Sequence, residues 1–407
     1  MHAGMGKLND RELYLATTIG VLELLKTGTT SIIEHAHVTG SLIGVEGRVE
    51  AIVKSIMDTG IRAVIAPSYA DIKYSECIPL NLLEKPSPEL LAILDPFPPP
   101  AADDILQVLR HIIEQWQNRD SRIDLFLGPS NTKSCSRYLM ESTVELASKF
   151  GLGIHCHLLE TKSERMFFPS VVDYLESVHC LGSNVSFAHG VWLDNKDIKT
   201  LAQTNTSIIH NPISNLKLGS GIAPIQTMKD LSLNVALGAD NAGSANDSQN
   251  MFEVMKYAAL IHKLYGTPTK WLGAEDAFTM CVTNGAKVLR KNIGAIKPGY
   301  LADIVIIGGE KLFVNSKENL INQLVYTNLG FSSVETVLVG GNIVVEEGKV
   351  KMVNEDELFA EAKECAQKIY SDIPALNNRL APALDFLSKM GKVVSRQKLH
   401  FTRFADI

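Results

Sequence analysis

Short apolar runs alternate with longer segments of helical periodicity through the first 240 residues of the chain. Apolar runs of four to eight residues favour β-strands, whereas apolar positions that recur every three or four residues favour helices. The runs predict seven strands, at residues 30–37, 61–68, 123–129, 153–159, 185–191, 207–212 and 234–240. The helical segments cover residues 11–25, 48–58, 103–117, 137–150 and 195–203, and glycines stand where three helices should end, at Gly28, Gly60 and Gly151.

This alternation predicts a parallel sheet with helices on both faces. Ionisable residues fall at the carboxyl ends of the predicted strands, which is where a TIM (β/α)8 barrel carries its chemistry. They are His35, His37, His157, Glu160, His189, His210 and Asp240. A doubly wound sheet is the alternative, but it often carries a glycine-rich phosphate loop, and no GxGxxG or GxxxxGK(S/T) motif follows a strand in this sequence. The pattern therefore favours the barrel.

A closed barrel of this class needs eight strands, and the pattern supplies seven. The first predicted unit opens with a helix, so we expect the missing strand to precede residue 1. The predicted fold is an α/β TIM-type barrel that lacks its first strand and spans residues 1–292.

Beyond the barrel the pattern changes. Residues 293–308 and 334–350 contain short β segments with glycine turns, which predict a small antiparallel β unit. We assign residues 293–352 to this unit, as the remnant of an accessory β-sandwich domain. Residues 353–407 form a tail that is helical at first and then basic and irregular.

Composition narrows the functional classes. The formal net charge of −6 gives no basic surface, which argues against nucleic-acid binding. The six cysteines form no CxxC pair, which indicates reduced thiols and a cytoplasmic location. The N-terminus has no signal-peptide pattern, and no apolar run reaches the roughly 18 residues that a membrane span needs.

A pair of histidines and a glutamate are the first candidates for chemistry. His155 and His157 lie on one face of their strand because side chains alternate, and His157 is nearer the carboxyl end. Glu160 follows just past that end. A ligand histidine beside a glutamate suits metal-assisted hydrolysis, in which the metal activates water and the carboxylate moves the proton. A buried histidine and a solvated glutamate are an equally good interpretation.

His189 and Asp240 end two further predicted strands. His189 could bind a metal or polarise the attacking water, or it could be a core histidine bonded to a backbone carbonyl. Asp240 could bind the metal or accept a proton from its water, or it could cap the following helix. One such residue per strand, always at the same end, is stronger evidence than any residue alone.

The segment at residues 210–215, HNPISN, follows another strand. Its polar groups, with His210 and Asn215 as the candidates, could hold a ring substrate or support the residues around it. A plain turn is the alternative, because Asn, Pro and Ser favour turns for local reasons.

Several motifs resemble the amidohydrolase superfamily, in the branch of cytosine, guanine, thioadenosine and triazine hydrolases. GTT at residues 28–30 resembles the start of that family's second barrel strand, and GIHCHLLET at 153–161 resembles its fifth-strand segment. The similar stretches further along the chain occur in the family's order over about residues 11–350. They are FAHGVWLDNKDIKTLAQTNTSIIHNPISNLKLGSGIAPI at 187–225, LGADNAGSANDSQNMFEVMKYAAL at 237–260, NGAKVL at 284–289, IGAIKPGYLADIVII at 293–307 and VETVLVGGNIVVEEGKV at 334–350.

The resemblance implies one Zn²⁺ or Fe²⁺ ion, with His157 and Asp240 as ligands by position and Asp240 as the proton acceptor. Glu160 would protonate the ring nitrogen or the leaving group, and His189 would lie near the water, the metal or the substrate. The implied reaction is attack of metal-activated water on a carbon of an N-heterocyclic small molecule, with release of ammonia or an amine. A homodimer is a further expectation from the resemblance.

The sequence departs from the family at the first strand, where two more ligands belong to an HxH motif. Only His2 precedes Gly28 here. His35 and His37 have the HxH spelling but lie on the second strand, so we do not favour them as replacements. With this incomplete set we do not expect the metal to be held well.

Two hypotheses therefore stand. The first is a metal-dependent hydrolase of carbon–nitrogen bonds, for which a longer form of this chain would supply the missing strand and its metal ligands. The second is a catalytically inactive barrel relative that acts as a binding or oligomer partner. Substrate choice would depend on the loops after the strands, for which the candidates are residues 69–76, 131–137, 164–168 and Trp192.

Overall fold

The computed structural model describes residues 8–36, 42, 44–83, 85–264, 266–308 and 319–403. Within these ranges, seven strands form one parallel sheet whose spatial order is the order along the chain. The strands are β1 (Ser31–Ala36), β2 (Arg62–Tyr69), β3 (Ile123–Pro129), β4 (Gly153–Leu158), β5 (Val185–His189), β6 (Ser207–His210) and β7 (Asn234–Leu237). The sequential order and parallel pairing agree with the barrel-type α/β prediction.

Helices cover the sheet and connect its strands. They are α1 (Asp10–Lys26), α2 (Val45–Thr59), α3 (Pro88–Leu94), α4 (Ala102–Trp116), α5 (Arg137–Phe150), α6 (Lys162–Phe167), α7 (Val171–Ser177), α8 (Asn195–Gln203), α9 (Pro212–Lys217), α10 (Ile225–Asp230), α11 (Met251–Ile261), α12 (Ala274–Cys281) and α13 (Thr283–Leu289). Local signals set several of these limits. In α5, the Ser136 hydroxyl accepts from Leu139 N at the start, and Gly151 ends the helix with φ +67°.

Both faces of the sheet are packed, which explains why its strands are continuous apolar runs. Every residue of β2 is buried. Alternate residues such as Ile65 and Leu125 join the main core under the outer helices. The intervening residues, Ala66 and Phe126, face inward and pack with Leu289 at the end of α13.

Some of the strands end earlier than the sequence pattern predicts. β4, β5 and β7 stop at Leu158, His189 and Leu237, whereas the predicted runs continue to residues 159, 191 and 240. The chain turns there with positive φ, at Leu159 (+47°), His189 (+76°) and Asp240 (+64°). Apolar character continues through these turns because they are buried, so the pattern alone could not locate them.

Within the described residues, β1 pairs only with β2 and β7 only with β6, so the two edges of the sheet are not hydrogen-bonded to each other. An eighth strand is not among these residues, and its predicted place before residue 1 stays a prediction. His37 and His2 lie outside the described residues.

A second, antiparallel sheet lies at the amino-terminal ends of the parallel strands. It contains β8 (Ile304–Ile307), β9 (Val334–Val339), β10 (Asn342–Glu346) and β11 (Lys349–Val350), in the order β11-β10-β9-β8, and two short helices, α14 (Leu320–Tyr326) and α15 (Leu329–Ser332), precede β9. This sheet confirms the predicted antiparallel unit. The assignment of that unit to a β-sandwich remnant stays a prediction.

One long helix, α16 (Glu355–Arg396), follows the small sheet. Its start lies near α1, where Lys26 pairs with Glu355 at 2.7 Å. The last third of α16 packs against the segment that follows β2, and Met390 and Val394 are buried there with Ile78 and Leu94. No helix in the described ranges is both long and apolar enough to cross a membrane.

Candidate active site at the carboxyl edge of the sheet

The chemistry-bearing residues predicted from the sequence meet at the carboxyl ends of the strands. His189 and Asp240 both have left-handed backbone conformations, as does Leu159 just before Glu160. A non-glycine residue is uncommon there and is held by its surroundings, and such residues concentrate at functional sites. These turns aim three side chains toward one point.

A row of imidazoles lines the inner face of the sheet. The ring centroids of His35 and His157 are 4.9 Å apart, and those of His157 and His189 are 5.5 Å apart. His155 lies beside this row, 5.1 Å from His35, and its Nδ1 bonds with the Ser186 hydroxyl at 2.9 Å. Burial, together with the adjacent His157, lowers the pKa of His155 to about 3, so its ring is neutral.

His157 has a fixed tautomer. Its Nδ1 lies 2.5 Å from the carbonyl oxygen of Ser130, which can only accept, so Nδ1 carries the proton. In the neutral ring the lone pair is then on the other nitrogen, Nε2. A histidine that donates Nδ1–H to a carbonyl and offers Nε2 has the arrangement usual for a metal ligand.

His189 lies between two carboxylates. Its Nδ1 bonds with Asn215 Oδ1 at 3.0 Å, while its Nε2 is 3.9 Å from Glu160 Oε2 and 3.8 Å from Asp240 Oδ2. Burial lowers the pKa of His189, but the two carboxylates outweigh burial and raise the pKa above its usual value. The three predicted catalytic residues therefore converge at Nε2 of His189.

Asp240 is oriented by donors on both of its oxygens. The Ser214 hydroxyl donates to Oδ2 at 2.5 Å, and the backbone N–H of Asn241 donates to Oδ1 at 2.7 Å. Burial raises the pKa of Asp240, yet His189 and these two donors more than compensate and hold it below the usual value. Asp240 is therefore a carboxylate at neutral pH.

Glu160 is placed by its neighbours in the chain and in space. Its backbone N–H donates to Glu164 Oε2 at 2.9 Å, and Glu164 in turn accepts from Asn131 and Lys133. The Oε1 atom of Glu160 accepts a hydrogen bond from the Ser220 hydroxyl at 3.4 Å. The loop after β4 is thus tied to the loops after β3 and β6.

Two further candidates, His210 and Asn215, differ from each other in the residues that they contact. His210 Nε2 lies 3.0 Å from His262 Nε2, so its ring bonds with a residue after α11 and with none of the site groups above. Asn215 contacts His189 directly and holds that ring. Substrate binding by His210 and Asn215 stays a prediction. His35 Nε2 lies 3.3 Å from Gly128 O, so His35 is at the inner face beside His157.

The donor chemistry of the site fits a divalent metal ion. His157 has its proton on the carbonyl-bonded nitrogen, and Asp240 is ionised. The described part of the chain nevertheless brings no three His, Cys, Asp or Glu side chains together closely enough to hold a metal. The side chains present are therefore of the kind that binds a divalent metal ion, but they are too few to form a complete site.

The sequence analysis missed Ser220 as a site residue and named Glu164 only as the start of the candidate loop at residues 164–168. Ser220 lies within the GSGIAPI stretch, where it resembles an ordinary turn serine, and Glu164 resembles a helix-start acid on α6. Their roles depend on contacts with residues 60 and 33 positions away, so a local pattern could not reveal them.

A model of the amidohydrolase family matches residues 1–344 of the chain. The chain is 34% identical over 367 residues to a 5'-deoxyadenosine deaminase of Methanococcus maripaludis, which covers 88% of this chain and 78% of that protein. It is 32% identical over 345 residues to a 5-methylthioadenosine/S-adenosylhomocysteine deaminase of Thermococcus sibiricus, which covers 83% of this chain and 73% of that protein.

Two solved structures share the fold. An adenosine deaminase from Xanthomonas campestris with bound zinc superposes with a TM-score of 0.76 at 21% identity, covering 89% of this chain and 76% of that chain. A triazine hydrolase variant also gives 0.76, at 22% identity, covering 88% of this chain and 77% of that chain. At these identities the likeness is one of fold.

Proposed function

Because the chain belongs to the amidohydrolase family and is an enzyme of the aminohydrolase kind, we propose that it hydrolyses the exocyclic C–N bond of an adenine nucleoside. Water adds to the ring carbon that carries the amino group, the C–N bond breaks, and ammonia leaves, so that a ring carbonyl replaces the amine. The curated relatives are named for adenosine derivatives altered at the 5' position, which supports this substrate class.

The observation that supports this function most directly is the convergence of His189 Nε2, Glu160 and Asp240 within 3.9 Å. Asp240 is ionised and can accept a proton from the attacking water. Glu160 can deliver a proton to the ring nitrogen or to the departing amine. His189, held by Asn215, can donate a hydrogen bond to the developing negative charge.

A divalent metal ion, with zinc as the first candidate, is part of this proposal. His157 and Asp240 would hold it, with His189 beside them, and the ion would supply a bound water of lowered pKa. The first-strand histidine pair that the family resemblance implies has no counterpart in the described part of the chain. The metal content of the purified chain is therefore a result to be measured alongside activity.

The inactive-relative hypothesis keeps one specific observation in its favour, the incomplete set of metal-ligand side chains among the described residues. It predicts a chain that contains no stoichiometric metal and releases no ammonia. A binding or oligomer role would then be the remaining function.

The test is ammonia release by the full chain, purified with added zinc, from adenosine, 5'-deoxyadenosine and 5'-methylthioadenosine. We expect measurable turnover in the presence of added zinc, with kcat lowered by a factor on the order of 10²–10⁴ in Glu160→Gln and in Asp240→Asn, since each removes a proton-transfer group. Glu145→Gln is the matched control, because Glu145 is exposed on α5.

Three outcomes separate the hypotheses. A chain that holds zinc but acts on none of these nucleosides contradicts the substrate class. A chain without zinc or activity supports the inactive relative. Activity that persists unchanged in both site variants would show that these residues do not carry the reaction.

A further inference from the structure

The end of α16 and the chain that follows it lie across the segments that carry the candidate active site. We call residues 395–403 the C-terminal strap. The Lys162 ammonium group donates to the carbonyl oxygens of Ser395 at 3.1 Å and Gln397 at 2.6 Å. The Arg403 guanidinium group donates from Nε to Val191 O at 2.7 Å and from Nη2 to Leu193 O.

The strap also accepts a hydrogen bond from a third loop. The backbone N–H of Ile222 donates to Arg403 O at 2.6 Å. The strap therefore contacts the loops after β4, β5 and β6, at Lys162, Val191 and Ile222. Each contact comes two residues after a site group, which are Glu160, His189 and Ser220, respectively.

An aromatic contact fixes the middle of the strap. The Phe401 ring lies 6.1 Å from the Trp192 ring, and the guanidinium groups of Arg165 and Arg403 lie 5.8 Å and 4.3 Å from the Phe401 centroid. Trp192 is 2% exposed, and its Nε1 donates to Ser220 O at 2.8 Å. Trp192 thereby joins the loop that carries His189 to the loop that carries Ser220.

The sequence provides room for the strap at Gly221. A Cβ atom there would lie 3.0 Å from Arg403 Cβ and 3.1 Å from Arg403 O, and φ at Gly221 is +120°. Gly219 also has a positive φ, +67°, but a Cβ there would meet nothing within 4 Å. The close approach of the strap backbone thus requires glycine at 221 and makes no such demand at 219.

We propose that the C-terminal strap holds the three rim loops in the geometry that the reaction needs, with Arg403 as the positioning residue. Arg403 contacts none of the reacting groups. It acts through the carbonyls of Val191 and Leu193 on the turn that begins at His189, and through Ile222 on the loop of Ser220, which bonds Glu160. The catalytic part of this inference rests on the proposed deamination, whereas the coupling of the loops does not.

The test compares Arg403→Ala, Arg403→Lys and Lys398→Ala in the full chain. Lys398 is exposed on the same strap and carries the same charge, which makes Lys398→Ala the matched control. Misplacement by about 1 Å can cost up to roughly a hundredfold in rate. We expect Arg403→Ala to lower kcat for adenosine deamination roughly ten- to hundredfold with a smaller change in KM. Arg403→Lys should recover part of the loss, and Lys398→Ala should match the parent chain.

Hydrogen exchange gives a readout that does not depend on activity. In Arg403→Ala we expect faster exchange of the backbone N–H groups of Trp192 and Ile222, while the N–H groups of β2 keep their rates. Gly221→Ala should produce the same pattern by displacing the strap, and Gly219→Ala should not. Exchange rates that stay unchanged at Trp192 and Ile222 would overturn the proposal.

The two readouts also separate this inference from the proposed function. If the parent chain is inactive, the proposed function fails, and the exchange pattern alone decides whether the strap couples the loops. If exchange rises in Arg403→Ala but kcat stays at the parent value, the loops are coupled and the positioning role is overturned.

Discussion

The imidazoles of His210 and His262 share one proton between Nε2 atoms that lie 3.0 Å apart. His210 is 1% exposed and His262 is 6% exposed. Burial, and then the neighbouring ring, lowers the pKa of His210 well below its usual value, and burial lowers the pKa of His262 to about 4. A second proton would leave two N–H groups facing each other in a site that water does not reach.

The pair therefore makes stability depend on pH. In the unfolded chain a histidine binds its proton near pH 6.5, whereas His262 in the folded protein binds it only near pH 4. The free energy of unfolding should fall as the pH drops from about 6.5 to about 4, by up to about 3 kcal/mol for His262. In His262→Gln, which keeps a donor toward His210, urea unfolding at a series of pH values should show a shallower decline.

The control for this experiment is His111→Gln, because His111 is an exposed residue on α4. It should leave the slope between pH 6.5 and 4 close to that of the parent. A decline in His262→Gln as steep as in the parent would contradict the assignment of the pH dependence to this buried pair.

At the scale of elements, the inner face of the sheet depends on small residues opposite large ones. Phe126 on β3 is 4% exposed, and its ring occupies the space beside Gly153 at the start of β4. A Cβ atom at Gly153 would lie 2.4 Å from the ring, closer than atoms can pack. The side chain of Phe126 has little freedom to move because Leu289 and Ile293 pack against the same cluster.

Gly153→Ala should therefore destabilise the fold by about 1–3 kcal/mol, the usual cost of overpacking a core. Urea denaturation measures the change. Gly391→Ala is the matched control, since a Cβ atom at Gly391 of α16 meets nothing within 4 Å. An alanine inside a helix should leave stability unchanged or raise it by up to about 1 kcal/mol. Equal effects of the two substitutions would show that the contact with Phe126 is not the cause.

Elements whose limits are marked by local signals could be predicted from the sequence alone. The limits of α5 and α8 match the sequence prediction, because Ser136, Gly151 and the Asp194–Asp197 capping box mark them locally. The ends of β5 and β7 do not match the prediction. The chain turns at His189 and Asp240, whose side chains bond with residues distant in the sequence. The types of site residue were predictable, but their partners were not. His189 bonds with Asn215, which is 26 positions away in the sequence, and His210 bonds with His262, which is 52 positions away.

At the scale of the whole molecule, one buried ion pair joins the two sheets. Asp303, just before β8, accepts from Arg62 Nε at 2.8 Å and Nη2 at 2.9 Å, where Arg62 begins β2. It also accepts from Gly340 N at 2.7 Å and from the Ser31 hydroxyl at 3.1 Å. Burial raises the pKa of Asp303, but these donors outweigh burial and lower it, so Asp303 is charged. The pair connects the end of the parallel sheet opposite the candidate site to the antiparallel sheet.

Removing one partner of this pair should be costly because the other remains buried and charged. The side chains of Arg62 and Asp303 are 4% and 1% exposed. Asp303→Ala should lower the free energy of unfolding by about 3–5 kcal/mol, as measured by urea denaturation. The exposed pair of Lys196 and Asp173, with side chains 70% and 49% exposed, provides the control, and Asp173→Ala should change stability by less than about 1 kcal/mol. If Asp303→Ala behaves like Asp173→Ala, the two sheets are held together by the hydrophobic core that they share, which includes Ile65 of β2 and Val337 of β9, and the ion pair contributes little.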